Sequence, residues 1–322
     1  MYKTALVTGG SSFIGQTFLR LLKEKHPFLK VYAGVHKNNF DTGGEGFEKV
    51  SLDLTKEIDI RDEVDIIFHI AGEAGNSNKA WEINYTGTKN LLAWAGNHSV
   101  KKIIYVSSVS VYGANPQEKD IKECSPHSPV TMYGESKSKT EALISNYGDS
   151  HKVNYTILQP ANVLGIKPQG VHQLLSLIRS IKKRHFFFIG DGSAFFNYVN
   201  VRDVAEAMMT AVQKSADNKT FILSDPITIK EAVTSIAGSL SVKSPLISIP
   251  KPLGYALASI CEQAGKIINK DLIFNKNRYA EMSNDICYHG DYVQKITGFT
   301  YPVGIKKTLA EMVDYYQTKG MI

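Results

Sequence analysis

Three side chains near the middle of the chain are of types that together can transfer protons. Tyr133 and Lys137 lie four residues apart in the stretch MYGESKSKTEALI, and Ser108 follows the apolar run IIYVS. Residues four apart on a helix project from the same face. A nearby ammonium favours phenolate, so Lys137 is expected to lower the pKa of Tyr133 and allow proton exchange near neutral pH. Ser108 could hydrogen-bond a substrate oxygen.

The N-terminal segment TGGSSFIG is a turn that could bind phosphate. It joins the apolar run Thr4–Thr8 to a helical pattern, with Gly9 and Gly10 in the sharp turn and Gly15 where helix and strand would pack closely. The N–H groups and dipole of the first helical turn favour a pyrophosphate there. Ser12 stands where a middle glycine is expected, and its hydroxyl could donate to a phosphate oxygen. Taken alone, the segment fits a structural turn as well as a dinucleotide site.

The end of the second predicted strand bears on which cofactor such a turn would hold. An acidic residue there would bind the adenosine 2′-hydroxyl. The sequence instead reads AGVHKNN, and His36 and Lys37 offer positive charge. This favours a 2′-phosphate, and therefore NADP over NAD. The alternative is that both side chains are the solvated end of a strand.

Apolar runs alternate with helical patterns through the first half of the chain, which predicts βαβ units and a parallel sheet. The predicted strands are Thr4–Thr8, Val31–Val35, Lys49–Leu52, Ile66–Ile70, Ile103–Ser107 and Tyr155–Gln159. The predicted helices between them are Gly15–Glu24, Asn84–Gly96 and Tyr133–Asn146. Beyond Pro160, helices are predicted at Val171–Lys183 and Val201–Lys214, and strands at HFFFIG and Thr220–Leu223.

Composition excludes several classes of protein. Of the 322 residues, 43% are hydrophobic and 21% are charged, which is typical of a soluble globular chain. A net charge of +6 mildly favours anionic ligands and does not argue for nucleic-acid binding. Cys124, Cys261 and Cys287 form no CxxC pair and the nine histidines show no metal spacing, so neither a disulfide framework nor a metal site is expected. Leu253–Ile268 is too short and too polar to span a bilayer, and no secretory leader is expected, so a cytoplasmic location is predicted.

Taken in order, these motifs resemble the extended short-chain dehydrogenases/reductases, also called the NAD-dependent epimerase/dehydratase family, over nearly the whole chain. TGGSSFIG resembles the family's TGxxGxxG, SLDLT its adenine-contacting acidic pair, and FHIAGEAG its HxAG turn. WEINYTGTKNLL resembles its NxxGTxNLL helix, and SSVSVYG and YGESK match its Ser and YxxxK elements. LQPANVLG resembles its RPxNVYG turn, and NYVNVRDVAEAM its VxVxDVAxA segment.

The resemblance implies a set of site residues. The catalytic residues would be Ser108, Tyr133, Lys137 and Asn84: Tyr133 as general acid/base, Lys137 on the nicotinamide ribose, and Asn84 supporting Lys137 through water. Together with His36 and Lys37, the predicted cofactor-binding residues are Gly9, Ser11, Ser12, Phe13, Ile14, Gly15, Asp53, Leu54, Ala71, Gly72, Tyr133, Lys137, Pro160 and Asn162. No metal is expected.

The resemblance also implies an architecture and an assembly. The fold class is α/β, a Rossmann-type doubly wound parallel sheet with a small, interleaved C-terminal lobe. Residues 1–165 with a return segment 190–224 are predicted to form the NAD(P)-binding domain, and 166–189 and 225–322 the substrate-binding lobe. The expected partner is a small-molecule substrate, without nucleic acid or stable membrane insertion. A homodimer through the helices Asn84–Gly96 and Tyr133–Asn146 is predicted.

The branch of the family is less sharply defined by the sequence. Dehydratases carry an acidic pair after the serine, where this chain reads VSVYG, so dehydration is not expected. Epimerases commonly place an arginine after GDG. Phe196 and Asn197 stand there instead, although Arg278 or Lys276 could hold a diphosphate.

Apolar segments point to a less polar substrate. IPKPLGYALASICEQAGKII resembles the lobe helix of the sterol-dehydrogenase and flavonol-reductase branches, and HFFFIG and AFFNY would add aromatic lining. The alternative is that these residues simply fill the core of the lobe. The sequence therefore favours an NAD(P)-dependent oxidoreductase of a secondary alcohol or ketone. The alternatives are a nucleotide-sugar 4-epimerase with transient hydride transfer and a cofactor-binding protein without catalysis.

Overall fold

The computed structural model describes residues 2–36, 47–113, 118–167, 173–267 and 274–322. The strands are β1 (Thr4–Thr8), β2 (Lys30–Val35), β3 (Glu48–Ser51), β4 (Ile66–His69), β5 (Lys102–Val106), β6 (Asp120–Ile121), β7 (Asn154–Pro160), β8 (Asn162–Leu164), β9 (Phe188–Ile189), β10 (Phe195–Phe196), β11 (Tyr198–Asn200), β12 (Lys219–Leu223), β13 (Ile227–Thr228), β14 (Ser248–Ile249) and β15 (Cys287–Tyr288). The helices are α1 (Phe13–Lys25), α2 (Asn78–Trp81), α3 (Gly87–Ala95), α4 (Met132–His151), α5 (Leu175–Lys182), α6 (Val201–Thr210), α7 (Ile229–Ser239), α8 (Lys251–Ile267), α9 (Lys276–Ser283), α10 (Tyr292–Thr297) and α11 (Ile305–Thr318). A π-helical turn covers Glu82–Thr86, and 3₁₀ turns cover Val109–Val111 and Lys214–Ala216.

A seven-stranded parallel sheet lies at the centre, in the order β12-β7-β5-β4-β1-β2-β3. The chain builds outward from β1 in both directions, so the order reverses between β1 and β4. At such a reversal, the loops that follow the two neighbouring strands run in opposite directions. A crevice is left between them at the carboxyl ends of the strands. This sheet confirms the predicted doubly wound α/β fold.

Different helices cover the two faces of this sheet, which explains why its strands are continuously apolar. Ala5 and Val7 of β1 pack in one cluster with residues of α1 and α6. Leu6 points to the other face and packs with α3 and α4. Every residue of β4 and β5 is buried, so alternation of polar and apolar residues is absent there.

A separate apolar cluster forms the lobe. It contains residues of α5, α7 and α11 together with Phe186, Phe188 of β9 and Phe196 of β10. Four two-stranded sheets accompany it: β8 with β11, β9 with β14, β10 with β13, and β6 with β15. The lobe is therefore assembled from chain segments far apart in sequence.

The predicted strands of the central sheet are confirmed to within one residue at each end. The helix predicted at Asn84–Gly96 is wrong in its form, because α2 and a π-helical turn precede α3, which ends at Ala95. The helix predicted to reach Lys214 ends at Thr210. The helix predicted at Val171–Lys183 is α5, and its first predicted residues lie outside the described part of the chain. The division into two domains stays a prediction.

Candidate active site

The glycine turn after β1 is shaped by two close backbone approaches. Gly9 adopts a φ of +68°, and a Cβ there would lie 2.7 Å from the amide nitrogen of Ala71. A Cβ on Gly15 would lie 2.2 Å from the carbonyl oxygen of Gly9. Only glycine fits at both positions, and the turn brings the start of α1 against the loop after β4.

Ser12 is the N-cap of α1. Its hydroxyl accepts a hydrogen bond from the Gly15 amide at 3.0 Å, and its own amide donates to the Gly9 carbonyl oxygen at 2.9 Å. The serine that departs from the family's glycine pattern thus satisfies a backbone donor of the first helical turn. Its side chain is exposed at the helix end and does not fill the turn. Ser11 accepts a bond from Gln16 through its carbonyl oxygen at 2.8 Å.

At the end of β2, His36 faces a carboxylate. Its Nε2 lies 3.2 Å from Oδ2 of Asp53, the residue predicted to contact adenine. Hydrogen bonds from Thr55 lower the pKa of Asp53, and the charge of His36 acts in the same direction. Leu54 is buried, and its backbone carbonyl accepts a bond from Asn90. Lys37, the other predicted cation, lies outside the described residues.

The loop after β4 carries the next predicted contacts. His69 is buried, and its two ring nitrogens lie 2.7 Å and 2.8 Å from the hydroxyls of Thr8 and Thr88. Burial and the charge of Lys137 lower the pKa of His69 to about 3, so its ring is neutral and structural. The Thr8 hydroxyl accepts a bond from the Ala71 amide, which fixes this loop beside the glycine turn.

Asn84 and Lys137 meet across Gly72. A Cβ on Gly72 would lie 3.0 Å from Oδ1 of Asn84 and 3.2 Å from Nζ of Lys137. Asn84 sits in the π-helical turn, a distortion often found at functional sites. Its amide group donates to the Glu73 carbonyl oxygen at 3.0 Å and to the Ser136 hydroxyl at 2.9 Å, and it accepts from the Glu73 amide at 2.8 Å. Protein groups thus hold the side chain of Asn84 in one orientation.

The start of α4 packs directly against the turn that follows β5. Ser108 caps the 3₁₀ turn, accepting from the Ser110 amide at 3.1 Å, and its hydroxyl donates to the Ser110 hydroxyl at 3.0 Å. A Cβ on Gly134 would lie 2.5 Å from the Ser110 carbonyl oxygen. Because Gly134 permits this approach, the phenol of Tyr133 comes into contact with the Ser108 hydroxyl.

The ionisation of Tyr133 differs from the sequence expectation. Burial raises its pKa above the ordinary 10.0, and the contact with Ser108 opposes that rise. The expected lowering by Lys137 is wrong for this arrangement, because Nζ of Lys137 donates to the Val106 carbonyl oxygen at 2.9 Å and lies over the ring of Tyr105. Burial lowers the pKa of Lys137 to about 8, against the charge of Glu141.

Sequence reasoning missed Glu141, which lies one turn beyond Lys137 on the same face of α4. Its carboxyl group is buried, accepts from the Ser107 hydroxyl, and accepts from Gln159 Nε2 at 3.0 Å on each oxygen. His127 Nε2 lies 3.7 Å from Oε2. Burial raises the pKa of Glu141 to about 7, although its neighbours favour the charged form. The repeated spacing of four from Tyr133 to Lys137 to Glu141 was the available signal.

A cavity of about 340 Å³ opens beside this turn, between the main sheet and the lobe. Val109, Ser110 and Asn162 line it on the side of the sheet. Its aromatic wall consists of Phe186, Phe187, Phe195, Phe196, Tyr198, Phe274 and Tyr288. Of the two cations suggested by the sequence, Arg278 lines the cavity, whereas Lys276 lies 5.9 Å from the ring centroid of Tyr255 on α8.

Of the remaining predicted cofactor contacts, only Asn162 lines the cavity. Phe13 begins α1 and packs against Gly165, with Nζ of Lys167 4.6 Å from its ring centroid. Ile14 is partly buried against the core. Pro160 ends β7, and Asn162 begins β8 and reaches the cavity.

The residues present fit a dinucleotide. The glycine turn forms a cradle that a Cβ would fill at Gly9 or Gly15, and it faces the start of a 13-residue helix. Among the described residues no cluster of His, Cys, Asp and Glu could hold a metal ion. Over the same residues, no helix has the length and hydropathy needed to cross a membrane.

Comparisons with known proteins agree with this geometry. A family model described as the NAD dependent epimerase/dehydratase family matches residues 5–223. The chain is 23% identical over 333 residues to N-acetyl-alpha-D-glucosaminyl-diphospho-ditrans,octacis-undecaprenol 4-epimerase of Escherichia coli O157:H7, covering 98% of this chain and 96% of that protein. It is 29% identical over 299 residues to a decarboxylating sterol-4-alpha-carboxylate 3-dehydrogenase of Candida albicans, covering 83% and 84%.

A solved structure shares the fold over almost the full length. UDP-glucuronic acid 4-epimerase from Bacillus cereus in complex with NAD superimposes with a TM-score of 0.74 at 16% identity, covering 98% of this chain and 99% of that one. At this identity the likeness concerns the fold alone.

Proposed function

The chain belongs to the NAD dependent epimerase/dehydratase family, and on that premise we propose that it is a C4 epimerase of a sugar carried on a diphosphate. The proposal reverses the order of the two enzymatic alternatives favoured by the sequence. It is supported by relatives whose names describe nucleotide-sugar or diphosphate-linked sugar epimerases.

The observation that carries the proposal is the position of Arg278. Its guanidinium lines the cavity that Ser110 borders, where it donates to the Ser176 hydroxyl at 3.2 Å and forms an ion pair with Glu281 at 2.8 Å, a carboxylate with which a diphosphate would compete. An arginine can bind a diphosphate through two parallel hydrogen bonds. Arg278 therefore supplies from the lobe the contact that Phe196 and Asn197 cannot make in the segment after GDG.

The chain's own residues would act on the sugar C4–O4 group. A nicotinamide dinucleotide, when bound, supplies reversible hydride transfer. Ser108 would hydrogen-bond O4, and Tyr133 would take the O4 proton as C4 becomes a ketone. Once the ketone presents its opposite face, Tyr133 would return the proton to O4, which completes the inversion at C4. The raised pKa of Tyr133 favours its protonated form, which suits return of the proton to a ketone oxygen and opposes the first step, in which Tyr133 takes the O4 proton.

Lys137 and the glycine turn would hold the cofactor. The Lys137 ammonium would bind the nicotinamide ribose from its place beside Gly72 and Asn84. Gly9, Gly15 and the first turn of α1 would bind the pyrophosphate, and Asp53 and Leu54 would border the adenine. This assignment stays a proposal for each residue.

A second candidate function is net oxidation or reduction of a secondary alcohol or ketone. The seven aromatic residues of the cavity wall favour it, because they line the cavity with the apolar surface that a less polar substrate would contact. The Candida albicans relative, named a sterol-4-alpha-carboxylate 3-dehydrogenase, supports it as well.

One assay separates the two candidates. The purified protein is incubated with NAD or NADP and with UDP-sugars or polyprenyl-diphosphate sugars deuterated at C4. The epimerase proposal predicts inverted product that retains the deuterium, without net change in cofactor absorbance. Net absorbance change with alcohols or ketones, and no inversion, would replace it with the second candidate. Cofactor binding without turnover of any substrate would support the catalytically silent alternative.

Two matched pairs of variants test the assigned roles. Tyr133→Phe is expected to lose about 100-fold or more of the rate, whereas Tyr147→Phe, further along α4, should retain it. Arg278→Gln is expected to raise KM for a diphosphate-linked sugar, whereas Arg202→Gln, which faces Glu311 elsewhere on the surface, should not. Full activity of Tyr133→Phe would remove the mechanism.

Preference for NADP over NAD is a further part of the proposal, and it rests on His36. A 2′-phosphate at the end of β2 would contact the His36 ring. That ring also lies beside Asp53, with its Nε2 3.2 Å from Oδ2. We expect His36→Ala to weaken NADP binding and to leave NAD binding nearly unchanged, measured by titration calorimetry. Tighter binding of NAD than NADP by the unaltered protein would overturn the preference.

The homodimer stays a prediction. It would form through α3 and α4, and light scattering after gel filtration tests it.

A further inference from the structure

One face of the lobe combines exposed apolar side chains with unpaired positive charge. We call it the basic-apolar face, and it consists of Lys182, Lys183, Arg184, Lys243, Leu246, Ile247, Leu253 and Ile260. Leu246 is 91% exposed, Ile247 and Ile260 are each 64% exposed, and Leu253 is 53% exposed. Side chains of this size are seldom left in water as a group unless they contact a partner.

Strand pairing brings the two parts of this face together. β9 and β14 are parallel, with Phe188 opposite Ser248, and the Phe188 amide donates to the Ile247 carbonyl oxygen at 2.8 Å. The segments that enter these strands therefore come from the same end of the pair. The run KKRH precedes β9, and Leu246 and Ile247 precede β14.

Helix α8 extends the apolar surface. It starts two residues after β14 and rests on β9 through Gly254, where a Cβ would lie 2.7 Å from Cδ1 of Ile189. Leu253 and Ile260, seven residues and thus two turns apart, project on the side away from this contact. Along α8, Gly254 and Ala258 are buried while Leu253, Tyr255 and Ile260 are exposed, so three of its large side chains lie in solvent.

The two segments that carry this face are basic, and the carboxylates near them are Asp191 and Glu262, which follow the segments directly, and Asp285. The segments 174–190 and 239–261 contain six Lys and Arg residues and no Asp or Glu. Arg179 bonds to the Met321 carbonyl oxygen and Lys251 pairs with Asp285. Within the described part of the chain, none of the four remaining cations, those of the basic-apolar face, forms an ion pair with a carboxylate. An anionic partner would satisfy all four.

We propose that the basic-apolar face docks onto the surface of a phospholipid bilayer that contains anionic lipid. Basic residues near such a surface are attracted to its headgroups, and exposed leucine and isoleucine side chains enter the interfacial region. A symmetric contact between two copies of this face would bring like charges together, which disfavours a second copy as the partner.

The face borders the cavity, because Phe187 and His185, which continue the KKRH run into β9, line it. This consequence rests on the proposed function: a sugar linked through a diphosphate to a membrane lipid would reach Arg278 from the bilayer side. Docking itself does not depend on catalysis, so the two are tested separately.

The test is co-sedimentation of the full-length protein with vesicles. We expect binding to vesicles of phosphatidylcholine mixed with phosphatidylglycerol, weaker binding as salt rises, and little binding to phosphatidylcholine alone. Each basic residue near the surface contributes about fivefold in partitioning. Lys182→Gln with Lys183→Gln is therefore expected to reduce binding by about 25-fold.

Further variants distinguish a specific loss of vesicle binding from a loss caused by misfolding or by a general change in charge. Leu246→Ser with Ile247→Ser should also reduce binding, whereas Lys152→Gln with Lys214→Gln, exposed lysines outside the face, should not. Circular dichroism melting checks that each variant folds. Tyr133→Phe should bind vesicles normally even where it abolishes turnover, which separates failure of docking from failure of the proposed function.

Three results would overturn docking. One is absence of sedimentation with the anionic vesicles. Another is an equal loss of vesicle binding in the control variant, Lys152→Gln with Lys214→Gln. The third is a dimer, detected by light scattering, that Leu246→Ser with Ile247→Ser dissociates, since the face would then be an interface between copies.

Discussion

The buried carboxyl of Glu141 makes a prediction about stability whose sign can be worked out. Burial raises its pKa from the ordinary 4.5 to about 7 in the folded protein. Below about pH 4.5 the group is protonated in both the folded and the unfolded chain, and its effect on unfolding is constant. As pH rises towards 7, the Glu141 carboxyl loses its proton in the unfolded chain before it does so in the folded protein. The folded state therefore loses stability across that interval.

The size of the effect follows from the same two values. Each tenfold difference in proton affinity corresponds to about 1.4 kcal/mol, so the interval is worth about 3 kcal/mol. Glu141→Gln is neutral at every pH and can still accept from the Ser107 hydroxyl. We expect the free energy of unfolding of the unaltered protein to fall by about 3 kcal/mol relative to Glu141→Gln between about pH 4 and pH 8.

Urea denaturation of both proteins across this range measures the difference. Two titratable neighbours face Glu141: Lys137 on the same helix and His127, whose pKa burial lowers from 6.5. The comparison is repeated in a His127→Asn background, which removes the titration of that ring. Glu135→Gln, at an exposed carboxyl of α4, is the control and should leave the pH dependence unchanged.

Parallel stability curves for the unaltered protein and Glu141→Gln would refute this reasoning. They would mean that Ser107, Gln159 and Lys137 offset the cost of burying the charge. If instead the unaltered protein gained stability relative to Glu141→Gln as pH rises, the folded protein would hold Glu141 ionised even below its ordinary pKa.

Substitutions at four further positions have expected outcomes in urea unfolding. Gly15→Ala places a Cβ 2.2 Å from a backbone oxygen and should cost about 1–3 kcal/mol, with weaker dinucleotide binding by calorimetry. Gly238→Ala, where an added Cβ meets nothing within 4 Å, should be neutral or stabilise by up to about 1 kcal/mol; equal costs at both positions would contradict the steric argument. Ser12→Ala should cost about 1 kcal/mol and Ser12→Gly a few tenths, and the reverse order would show that Ser12 is not a cap. Asp217→Asn should cost about 3 kcal/mol, because Lys102 is fully buried beside it; an unchanged midpoint would mean that water reaches the ammonium.

Local sequence was sufficient for the central sheet and for the order of the motifs along it. Each strand of that sheet is a continuous apolar run between polar turns, and both faces are covered, so its signal does not depend on partners far away. The glycine turn and the spacing of Tyr133 and Lys137 are likewise set within a few residues. The regularity of a helix was harder to predict than its position. The helix around Asn84 is interrupted by a π-helical turn that no local sequence pattern indicates, because packing against α4 and Glu73 determines it.

What the sequence alone determined is thus an α/β chain with a glycine turn after its first strand, a serine at the end of a later strand, and a tyrosine–lysine pair one helical turn apart. Only the tertiary structure decided the surroundings of those groups. It turned His36 towards Asp53, directed Lys137 to the Val106 carbonyl oxygen, buried Glu141 behind it, and brought Arg278 to a cavity bordered by Ser110. These are contacts between residues far apart in sequence or across a packed interface. Their geometry depends on which faces the folded elements present to one another, and local periodicity does not encode that choice.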